Sequence, residues 1–304
     1  MNNREAIIEE LRTACPGAQI LTDEPMSRHT TFRVGGPADV VIEPSSPEET
    51  VAAIRIARQM GVPVYVMGNG SNMLVRDGGM EGIVVLLGER MSKITRDGHR
   101  LHAQAGAMLS RLSREALNAG LKGLVFASGI PGTVGGAVVM NAGAYGGQMA
   151  DVLVGAKVLM GDEIRWMTLE ELEMGYRTTR PLREGGIVLE AEFELEGGDV
   201  EALTAETNEL SRRRREKQPL SLPSAGSTFK RPEGYFAGAL IEQAGLKGKS
   251  VGGAQVSELH AGFVVNTGNA TAADVLGLIE HIQQTVYRQS GVRLEPEVRI
   301  VGRE

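Results

Sequence analysis

The stretch from Ser128 to Gly147 limits what this chain can fold into more than any other part of the sequence. It reads SGIPGTVGGAVVMNAGAYGG and contains seven glycines but no charged side chain. Glycine loses the most conformational freedom on folding, so a run this dense is kept where the backbone turns with positive φ or approaches another group closely. Backbone N–H groups around Thr133, those of Gly132, Gly135 and Gly136, can bind phosphate without a lysine. The stretch, called the glycine bed below, is therefore either a ligand-binding loop or a glycine-rich turn packed against a sheet.

A second glycine loop favours the ligand-binding interpretation. The strand-like segment VPVYVM at 62–67 runs directly into Gly68-Asn69-Gly70-Ser71-Asn72. This loop is not a Walker loop, because no Gly-Lys-Ser/Thr follows, and Met73 replaces the third glycine of a dinucleotide fingerprint. Its backbone N–H groups, serine hydroxyl and two asparagine amides are uncharged donors that suit a diphosphate. Two such loops in one chain predict a site for a ligand that carries a diphosphate.

Composition narrows the class of protein further. At 304 residues the length favours two domains, and 42% hydrophobic with 23% charged residues is ordinary for a soluble globular chain. A net charge of −6 and only 4% aromatic residues argue against a general nucleic-acid binder and against base-stacking platforms. Cys15 is the only cysteine, which excludes intrachain disulfides and thiolate-rich metal sites and makes the cytosol the natural compartment. Residues 1–14 predict an amphipathic helix rather than a signal peptide, and no apolar run approaches the ~20 residues of a membrane span.

Hydrophobic periodicity and turn signals predict a chain of mixed strands and helices. The predicted helices are 1–14, 47–60, 109–119, 200–216, 236–244 and 271–289. The predicted strands are 38–43, 62–67, 82–87, 100–105, 152–160, 163–168, 187–195, 262–266 and 292–301. Thr271 and Asp274 form a capping-box pattern at the start of the last helix. The composition break Glu196-Gly197-Gly198-Asp199 predicts a boundary between two domains, 1–197 and 198–304.

Several residues allow both a functional and an ordinary interpretation. Arg177 follows Tyr176 in a loop between predicted strands, where an arginine is commonly a surface residue. Ser227 follows a glycine, a common place for a turn serine, and Glu297 belongs to a predicted strand face that solvent can cover. The run from Arg212 to Arg215 follows several glutamates of one predicted helix, which favours a solvated helix face over a phosphate-binding role.

Five motifs occur together in one order: the two glycine loops, Tyr176-Arg177, AGSTFK at 225–230 and LEPEV at 294–298. In these motifs the chain closely resembles the UDP-N-acetylenolpyruvoylglucosamine reductases of bacterial peptidoglycan synthesis, from about Thr30 to Gly302. The resemblance implies an α+β flavoprotein with an FAD-binding part of the PCMH or vanillyl-alcohol-oxidase type. That part consists of two subdomains, at about 1–88 and 89–197, and is followed by a C-terminal α/β substrate-binding domain at 198–304.

The resemblance implies that both glycine loops hold FAD without a covalent bond. The residues it assigns to the cofactor are Gly68, Asn69, Gly70, Ser71, Asn72, Ser128, Gly129, Pro131, Gly132, Thr133, Gly136, Asn141, Gly143 and Ala144. In that family NADPH reduces the flavin and leaves. The enolpyruvyl substrate then enters and takes hydride from flavin N5 at its methylene carbon.

The resemblance also implies three catalytic residues, Arg177, Ser227 and Glu297. Arg177 stabilises the negative charge that grows toward the substrate carboxylate, and Glu297, protonated through desolvation, donates a hydrogen bond. Ser227 gives the proton. Because a serine is a weak acid, it needs a strongly basic acceptor held close to it, which an oriented enol provides.

Substrate contacts are implied at Tyr176, Lys217, Lys230 and His260. His260 stands where some members of the family carry glutamine, and Arg231 stands where others carry asparagine. One subtype of the family has an inserted loop with a substrate-clamping tyrosine. Here Ser227 follows Arg177 by 50 positions and no tyrosine lies between them, so the chain is similar to the second subtype.

Two other functions account for the same residues less fully. A sugar or alcohol oxidase of the same flavoprotein superfamily would use the flavin but leaves Ser227 and Glu297 without a paired role. A non-catalytic nucleotide-binding protein would use the glycine loops alone. The sequence has no metal-ligand spacing beyond His99 and His102, and no G-x-S-x-G nucleophile elbow. We therefore expect a cytoplasmic monomer that binds NADPH and a UDP-sugar enolpyruvyl ether, with no metal, nucleic-acid partner or membrane insertion.

Overall fold

The structure is a computed structural model that describes residues 3–304. The chain forms two compact units. Unit 1 takes in the chain up to Leu21, Val40–Asn69 and Ile83–Arg214, and unit 2 takes in Thr22–Asp39, Gly70–Gly82 and Arg215–Glu304. These units differ from the predicted contiguous domains 1–197 and 198–304. The reason is that the early segments 22–39 and 70–82 contribute Phe32, Val34 and Leu74 to the same hydrophobic core as the C-terminal part.

The helices of the described residues agree closely with the predicted ones. They are α1 Asn3–Ala14, α2 Pro47–Gln59, α3 Leu109–Asn118, α4 Val134–Val139, α5 Leu169–Leu172, α6 Arg180–Glu184, α7 Val200–Lys217, α8 Ala237–Gln243 and α9 Ala272–Ser290. All six predicted helices are confirmed to within two residues at each end over the part of the chain that is described. The sequence analysis did not predict α4, which lies inside the glycine bed, or the short α5 and α6.

The strands include several that periodicity did not indicate. In the described residues they are β1 Gln19–Pro25, β2 Pro37–Glu43, β3 Val64–Met67, β4 Met73–Val75, β5 Met80–Leu86, β6 Ile94–Asp97, β7 Arg100–Gln104, β8 Leu121–Lys122, β9 Gly143–Ala144, β10 Gly147–Gln148, β11 Leu153–Met160, β12 Glu163–Thr168, β13 Ile187–Glu194, β14 Glu196–Gly197, β15 Ser224–Ser227, β16 Ser250–Val251, β17 Ala254–Val256, β18 Phe263–Asn266 and β19 Arg299–Val301. Among those not predicted are β1, β4 and β15.

The larger sheet of unit 1 carries the glycine bed. Its strands follow the order β12-β11-β13-β7-β6, and each neighbouring pair is antiparallel. Buried side chains of β13, such as Phe193, pack in one core with Leu109 and Leu112 of α3 and with Val134 and Val138 of α4. Removing these apolar side chains from water stabilises the packing. The core therefore fixes α4, and with it the middle of the glycine bed, against the sheet.

A second sheet leads into the other glycine loop. Its strands follow the order β1-β2-β5-β3, and β3 pairs with β5 in parallel, with Val64 opposite Ile83. A separate core of unit 1 joins Leu11 of α1, Ile54 of α2 and Ile83 of β5. Helix α2 begins where Ser46 accepts a hydrogen bond from the Glu49 backbone N–H, as an N-cap residue does. Because β3 is held in this sheet and ends at Met67, its end fixes where the loop begins.

Unit 2 has its own sheet and core. The sheet follows the order β15-β18-β17-β16, and β19 pairs separately with β4 in parallel. Apolar side chains of α8 and α9 form one core with those of the sheet, among them Ile241, Ile282 and Val264. The predicted capping box at the start of α9 is confirmed, because Thr271 and Asp274 each accept the other's backbone N–H.

The predicted strand 292–301 is wrong over most of its length. Only Arg299–Val301 pairs with a neighbouring strand. Upstream, the segment is held by single contacts: Gln283 Nε2 donates to the Leu294 carbonyl over 2.8 Å, and Pro296 forms an isolated bridge with Phe229. The apolar and polar residues alternate there, but within residues 3–304 no strand pairs along 292–298.

The predicted α+β class is confirmed, since each unit contains both helices and mainly antiparallel sheets. Over residues 3–304, no helix has the length and apolar character needed to cross a membrane.

Candidate active site

In unit 1 the two glycine loops meet. Asn69 donates from Nδ2 to the Pro131 carbonyl over 2.6 Å. A Cβ at Gly68 would collide with Thr133 Oγ1 and would lie 2.9 Å from its Cγ2. Any side chain at position 68 would therefore displace Thr133. The structure thus brings residues of both predicted cofactor loops into contact, as a shared diphosphate site requires.

The glycine bed begins as a loop and continues as helix α4. Thr133 is the N-cap residue of α4 and is buried, whereas Gly136 in the helix is exposed. The Gly135 N–H donates to the Ala105 carbonyl over 2.8 Å, and a Cβ at Gly135 would lie 2.8 Å from the Ala105 Cβ. The prediction that this N–H binds phosphate is therefore wrong. Gly135 is a glycine because it packs against Ala105.

The end of the glycine bed is a β-hairpin. β9 and β10 pair with Ala144 opposite Gly147, and the turn between them has φ of 52° at Tyr145 and 91° at Gly146. Positive φ at both central residues is the mark of a type I′ turn, which suits the twist of a hairpin. A Cβ at Gly143 would lie 2.7 Å from the Gly147 carbonyl oxygen. The hairpin therefore fixes Gly143 and Ala144, the last two predicted cofactor residues.

Arg177 and Tyr176 form the tip of a tight turn beside the glycine bed. The Gly175 N–H donates to the Thr178 carbonyl over 2.9 Å, and the Thr178 N–H donates back over 3.4 Å. Arg177 has φ of 55°, in the left-handed region that residues with side chains seldom adopt. Its Nη2 lies 3.5 Å from the Gly143 carbonyl oxygen, and its guanidinium carbon lies 5.5 Å from the centre of the Tyr176 ring. The predicted catalytic arginine is thus next to the predicted cofactor loop.

Asn141, another predicted cofactor contact, is engaged within the protein. It is only 3% exposed. Its Nδ2 donates to the Gly175 carbonyl over 3.0 Å and to Gln148 Oε1 over 3.2 Å, and its Oδ1 accepts from the Ala150 N–H over 3.0 Å. Both polar atoms of the amide therefore serve the fold around the Arg177 turn.

In unit 2 the predicted proton donor and the predicted acid lie on neighbouring segments. Ser227 is the last residue of β15 and is exposed. The carbonyl of the next residue, Thr228, accepts the Glu297 N–H over 2.8 Å. The bridge between Phe229 and Pro296 extends this contact. Glu297, which is half-buried, is therefore held beside the serine by backbone hydrogen bonding.

The part of the second glycine loop that belongs to unit 2 reaches the same place. Gly70 has φ of 58°, and a Cβ there would collide with the His29 carbonyl oxygen, so glycine is needed at this position. Ser71 and Asn72 are half-buried. The Asn72 Nδ2 donates to the Glu297 carbonyl over 3.2 Å. Asn72, a predicted cofactor residue, is thus hydrogen-bonded to Glu297, a predicted catalytic residue.

The predicted lysine contacts are both on the surface. Lys217 is the last residue of α7 and is exposed. Lys230 forms an ion pair with Glu295, with Nζ 3.2 Å from Oε2. The neighbouring Arg231 stacks on Phe236, with its guanidinium carbon 4.0 Å from the ring centre. Lys230 comes shortly after Ser227, the last residue of β15, whereas Lys217 is part of a different element, helix α7.

His260 is half-buried in unit 2 with its ring orientation fixed. Its Nδ1 accepts the Gly262 N–H over 3.1 Å, and its ring packs edge-on against Phe263 with ring centres 4.9 Å apart. Burial lowers the pKa of His260 below its ordinary value, which keeps the ring neutral at neutral pH. Because Nδ1 is the acceptor, the proton resides on Nε2. His260 can therefore offer a neutral hydrogen-bond donor to a ligand.

Arg214 departs from the solvated helix face that the sequence favours for the run from Arg212 to Arg215. A Cβ at Gly129 would collide with Arg214 Nη1 and would lie 3.0 Å from its Cδ, so the guanidinium lies against the glycine bed. Burial lowers the pKa of Arg214, and the nearby Tyr145 of the same bed opposes that shift. The bed has no charged residue of its own, yet a positive charge lies beside it.

The neighbours of Arg214 behave as the sequence predicts. Arg212 and Arg213 both pair with Glu209, over 2.9 and 2.6 Å, and hold the pKa of that exposed carboxyl at about 2. These partners stand three and four residues after Glu209, on the same helix face. Arg214 stands one residue further and faces elsewhere. Helical spacing could have indicated this difference, because Arg214 does not stand three or four residues after Glu209.

The described residues suit a flavin dinucleotide. Two uncharged glycine loops lie in contact, and Arg214 lies against one of them, which suits the diphosphate of such a ligand. In the part of the chain that the structure describes, no group of three or more His, Cys, Asp or Glu residues could hold a metal ion.

Comparison with known proteins finds a matching family for each of two parts of the chain. Residues 38–166 match the family described as FAD binding domain, and residues 218–301 match UDP-N-acetylenolpyruvoylglucosamine reductase, C-terminal domain. A UDP-N-acetylenolpyruvoylglucosamine reductase from Alkaliphilus oremlandii is 53% identical over 97% of each chain, and one from Clostridium perfringens strain SM101 is 51% identical over 94% of each. The crystal structure of UDP-N-acetylenolpyruvylglucosamine reductase from Thermus caldophilus is 37% identical and superimposes with a TM-score of 0.79, covering 93% of this chain and 98% of that one.

Proposed function

The chain belongs to the UDP-N-acetylenolpyruvoylglucosamine reductase family, and from this premise we propose that it reduces UDP-N-acetylglucosamine enolpyruvate to UDP-N-acetylmuramate. FAD is the cofactor and NADPH is the reductant, and the reaction is a step in the synthesis of peptidoglycan precursors. The name shared by the relatives favours this reduction over an oxidase and over a non-catalytic nucleotide-binding protein. The lone cysteine favours the cytoplasm as its place of action.

One observation supports the proposed chemistry above the others. Glu297, Thr228 and Asn72 are joined by backbone and amide hydrogen bonds of 2.8 and 3.2 Å, although they come from distant parts of the chain. Ser227 precedes Thr228 directly. A hydroxyl, a carboxyl and a predicted cofactor loop are thereby collected within unit 2. An ordinary turn serine and a solvated glutamate would have no reason to share one cluster with a cofactor loop.

The cofactor would be held mainly by uncharged groups. In unit 1 these are the contacting loops at Gly68-Asn69 and Pro131-Gly132-Thr133, with Arg214 beside them as the positive charge for a diphosphate. In unit 2 they are the donors of Ser71 and Asn72. When bound, FAD would supply the hydride transfer from NADPH to the methylene carbon of the enolpyruvyl group.

Arg177 stabilises the negative charge that hydride addition places on the substrate. The turn holds its backbone in the left-handed region, and such a conformation persists only where the surrounding structure determines it. A guanidinium offers two parallel donors to a carboxylate and is always protonated. Placed at the substrate carboxylate, it stabilises the additional negative charge that develops during reaction more than the charge that the alkene already carries.

Ser227 gives its proton to the carbon next to the substrate carboxylate, and Glu297 donates a hydrogen bond where negative charge develops on the substrate. The hydride and this proton together reduce the carbon–carbon double bond. Serine suits the step because it stays protonated at neutral pH and releases its proton only to a strong base held close to it. Tyr176, Lys217, Lys230 and His260 bind the substrate.

A serine variant tests this assignment. In Ser227→Ala, flavin reduction by NADPH proceeds at the normal rate, because the hydroxyl takes no part in it. Reoxidation of the flavin by the enolpyruvyl substrate slows at least about 100-fold, the scale of a lost general acid. Stopped-flow absorbance separates the two half-reactions.

Ser224→Ala is the matched control, since Ser224 lies on the same strand and its carbonyl, not its hydroxyl, accepts a hydrogen bond from Thr31. Both half-reactions stay normal in this variant. Normal turnover in Ser227→Ala would remove the serine from the mechanism, and consumption of oxygen in place of the enolpyruvyl substrate would favour the oxidase.

A further inference from the structure

The turn that carries Arg177 is joined to the glycine bed at alternate residues. Thr179 donates from Oγ1 to the Val139 carbonyl over 2.8 Å, Asn141 donates from Nδ2 to the Gly175 carbonyl over 3.0 Å, and Arg177 Nη2 lies 3.5 Å from the Gly143 carbonyl oxygen. Residues 139, 141 and 143 of the bed thus contact residues on both sides of the turn tip. The position of Arg177 is set by these links.

Asn141 differs from the other two bed residues. Val139 and Gly143 take part through backbone carbonyls, which any residue provides. The link from Asn141 is made by its side chain, so it would be lost if another residue without this donor stood at position 141. The backbone of Asn141 also has φ of 42°, a left-handed conformation that asparagine tolerates better than most residues.

The chemistry of the amide fits this single position. A buried amide nitrogen has two N–H groups to satisfy, and here they go to Gly175 and Gln148. The amide oxygen accepts the Ala150 N–H over 3.0 Å. An aspartate of the same shape would keep the bond to Ala150 but would set a carboxylate oxygen against two other oxygens. Shape alone therefore does not explain the residue, because the donor is needed.

We propose that Asn141 is a positioning residue that holds the Arg177 turn on the glycine bed, and that it does not contact the cofactor. This inference rests on the proposed function, because it concerns the step in which Arg177 acts on the substrate. Loss of the donor frees one side of the turn and lets the guanidinium move. A displacement of about 1 Å of a catalytic group costs about 100-fold in rate.

The test uses the full-length FAD-loaded protein and the two half-reactions. In Asn141→Asp, reoxidation of the flavin by the enolpyruvyl substrate slows by about 10- to 100-fold, while flavin reduction by NADPH keeps its rate. The Kd of the apoprotein for FAD, measured by quenching of FAD fluorescence, stays within about threefold of the wild type, since the amide faces the turn. Asn141→Gly provides a second variant, because glycine accepts the positive φ and removes the donor without adding charge.

Gln148→Ala is the matched control. It removes the other hydrogen bond of the same Nδ2 and leaves the bond to Gly175 in place, so both half-reactions stay within about twofold of the wild type. A double-mutant cycle with Arg177→Lys then shows whether Asn141 acts through the arginine. In the Arg177→Lys background, Asn141→Asp slows reoxidation by less than about threefold.

Three results would overturn the inference. An Asn141→Asp protein with normal reoxidation would show that the donor is not needed. A Kd for FAD raised more than tenfold, with normal reoxidation once FAD saturates the protein, would make Asn141 a cofactor contact. An undiminished loss in the Arg177→Lys background would show that Asn141 acts by another route. Failure of the proposed function is distinct, because the wild-type protein itself would then not be reoxidised by the substrate.

Discussion

Replacing Arg214 with glutamine should weaken FAD binding about 10- to 150-fold. The guanidinium lies against Gly129 in a bed with no charge of its own, and its desolvation lowers its pKa. A hydrogen bond between charged groups is worth about 1.5–3 kcal/mol, which converts to that range of Kd. Glutamine keeps part of the apolar stem and can still donate, so the change isolates the charge.

The assay is reconstitution of the apoprotein, followed by quenching of flavin fluorescence. FAD and riboflavin are titrated in parallel, because riboflavin has the same ring but lacks the diphosphate. In Arg214→Gln the Kd for FAD rises and the Kd for riboflavin stays within about threefold of the wild type. The wild-type Kd for FAD also increases with salt more steeply than that of the variant, since salt screens the charge pair.

Arg213→Gln is the control on the neighbouring position. Arg213 is half exposed and pairs with Glu209 over 2.6 Å, so its loss should leave the Kd for FAD unchanged. Equal affinities of Arg214→Gln and Arg213→Gln for FAD would show that the charge of Arg214 does not hold the cofactor. So would an equal loss of riboflavin binding, because that would indicate a distorted bed rather than a missing charge.

Two further predictions concern stability in unit 2. Burial lowers the pKa of His260 in the folded protein. At a pH below 6.5, the ordinary pKa of histidine, the unfolded chain therefore takes up a proton more readily than the folded one. The free energy of unfolding therefore falls as the pH drops from 6.5, and urea denaturation of His260→Gln should show a smaller fall; identical pH profiles would contradict this. Asp274 accepts the Thr271 and Gly253 N–H groups over 3.0 and 3.2 Å, and these hydrogen bonds lower its pKa. Asp274→Ala should lose about 1–2 kcal/mol at neutral pH, and the difference from wild type should shrink as the pH falls through the lowered pKa, below 3.8; a constant difference would contradict the role of the carboxylate.

Local signals in the sequence were sufficient where short-range physics decides the structure. The capping box at Thr271 and the helices with apolar residues at helical spacing are set by neighbours along the chain, so they could be predicted. The end of the chain was predicted poorly for the opposite reason. Alternation at 292–301 indicates a strand, but whether a strand forms depends on a partner. Among the strands of the described residues, only β4 is such a partner, and it pairs with Arg299–Val301 alone.

In the candidate site, too, some features could be predicted from the sequence and others could not. Glycine density indicated the two loops, and their contact through Asn69 and Pro131 agrees with a joint role. Sequence could not show that the Gly135 N–H is used by Ala105, or that the amide of Asn141 serves the Arg177 turn, because both facts depend on residues far away in the chain. The interleaving of the two units was hidden for the same reason, since the segments 22–39 and 70–82 have no local mark that assigns them to the C-terminal core.

The absorption spectrum of the purified wild-type protein, followed through one catalytic cycle without oxygen, decides whether the protein catalyses the proposed reduction. We expect flavin bands, bleaching by one equivalent of NADPH, and full return of the bands when UDP-N-acetylglucosamine enolpyruvate is added, with UDP-N-acetylmuramate as the product. A protein that takes up no FAD on reconstitution, or a bleached flavin that the enolpyruvyl substrate does not reoxidise, would contradict the proposed reduction.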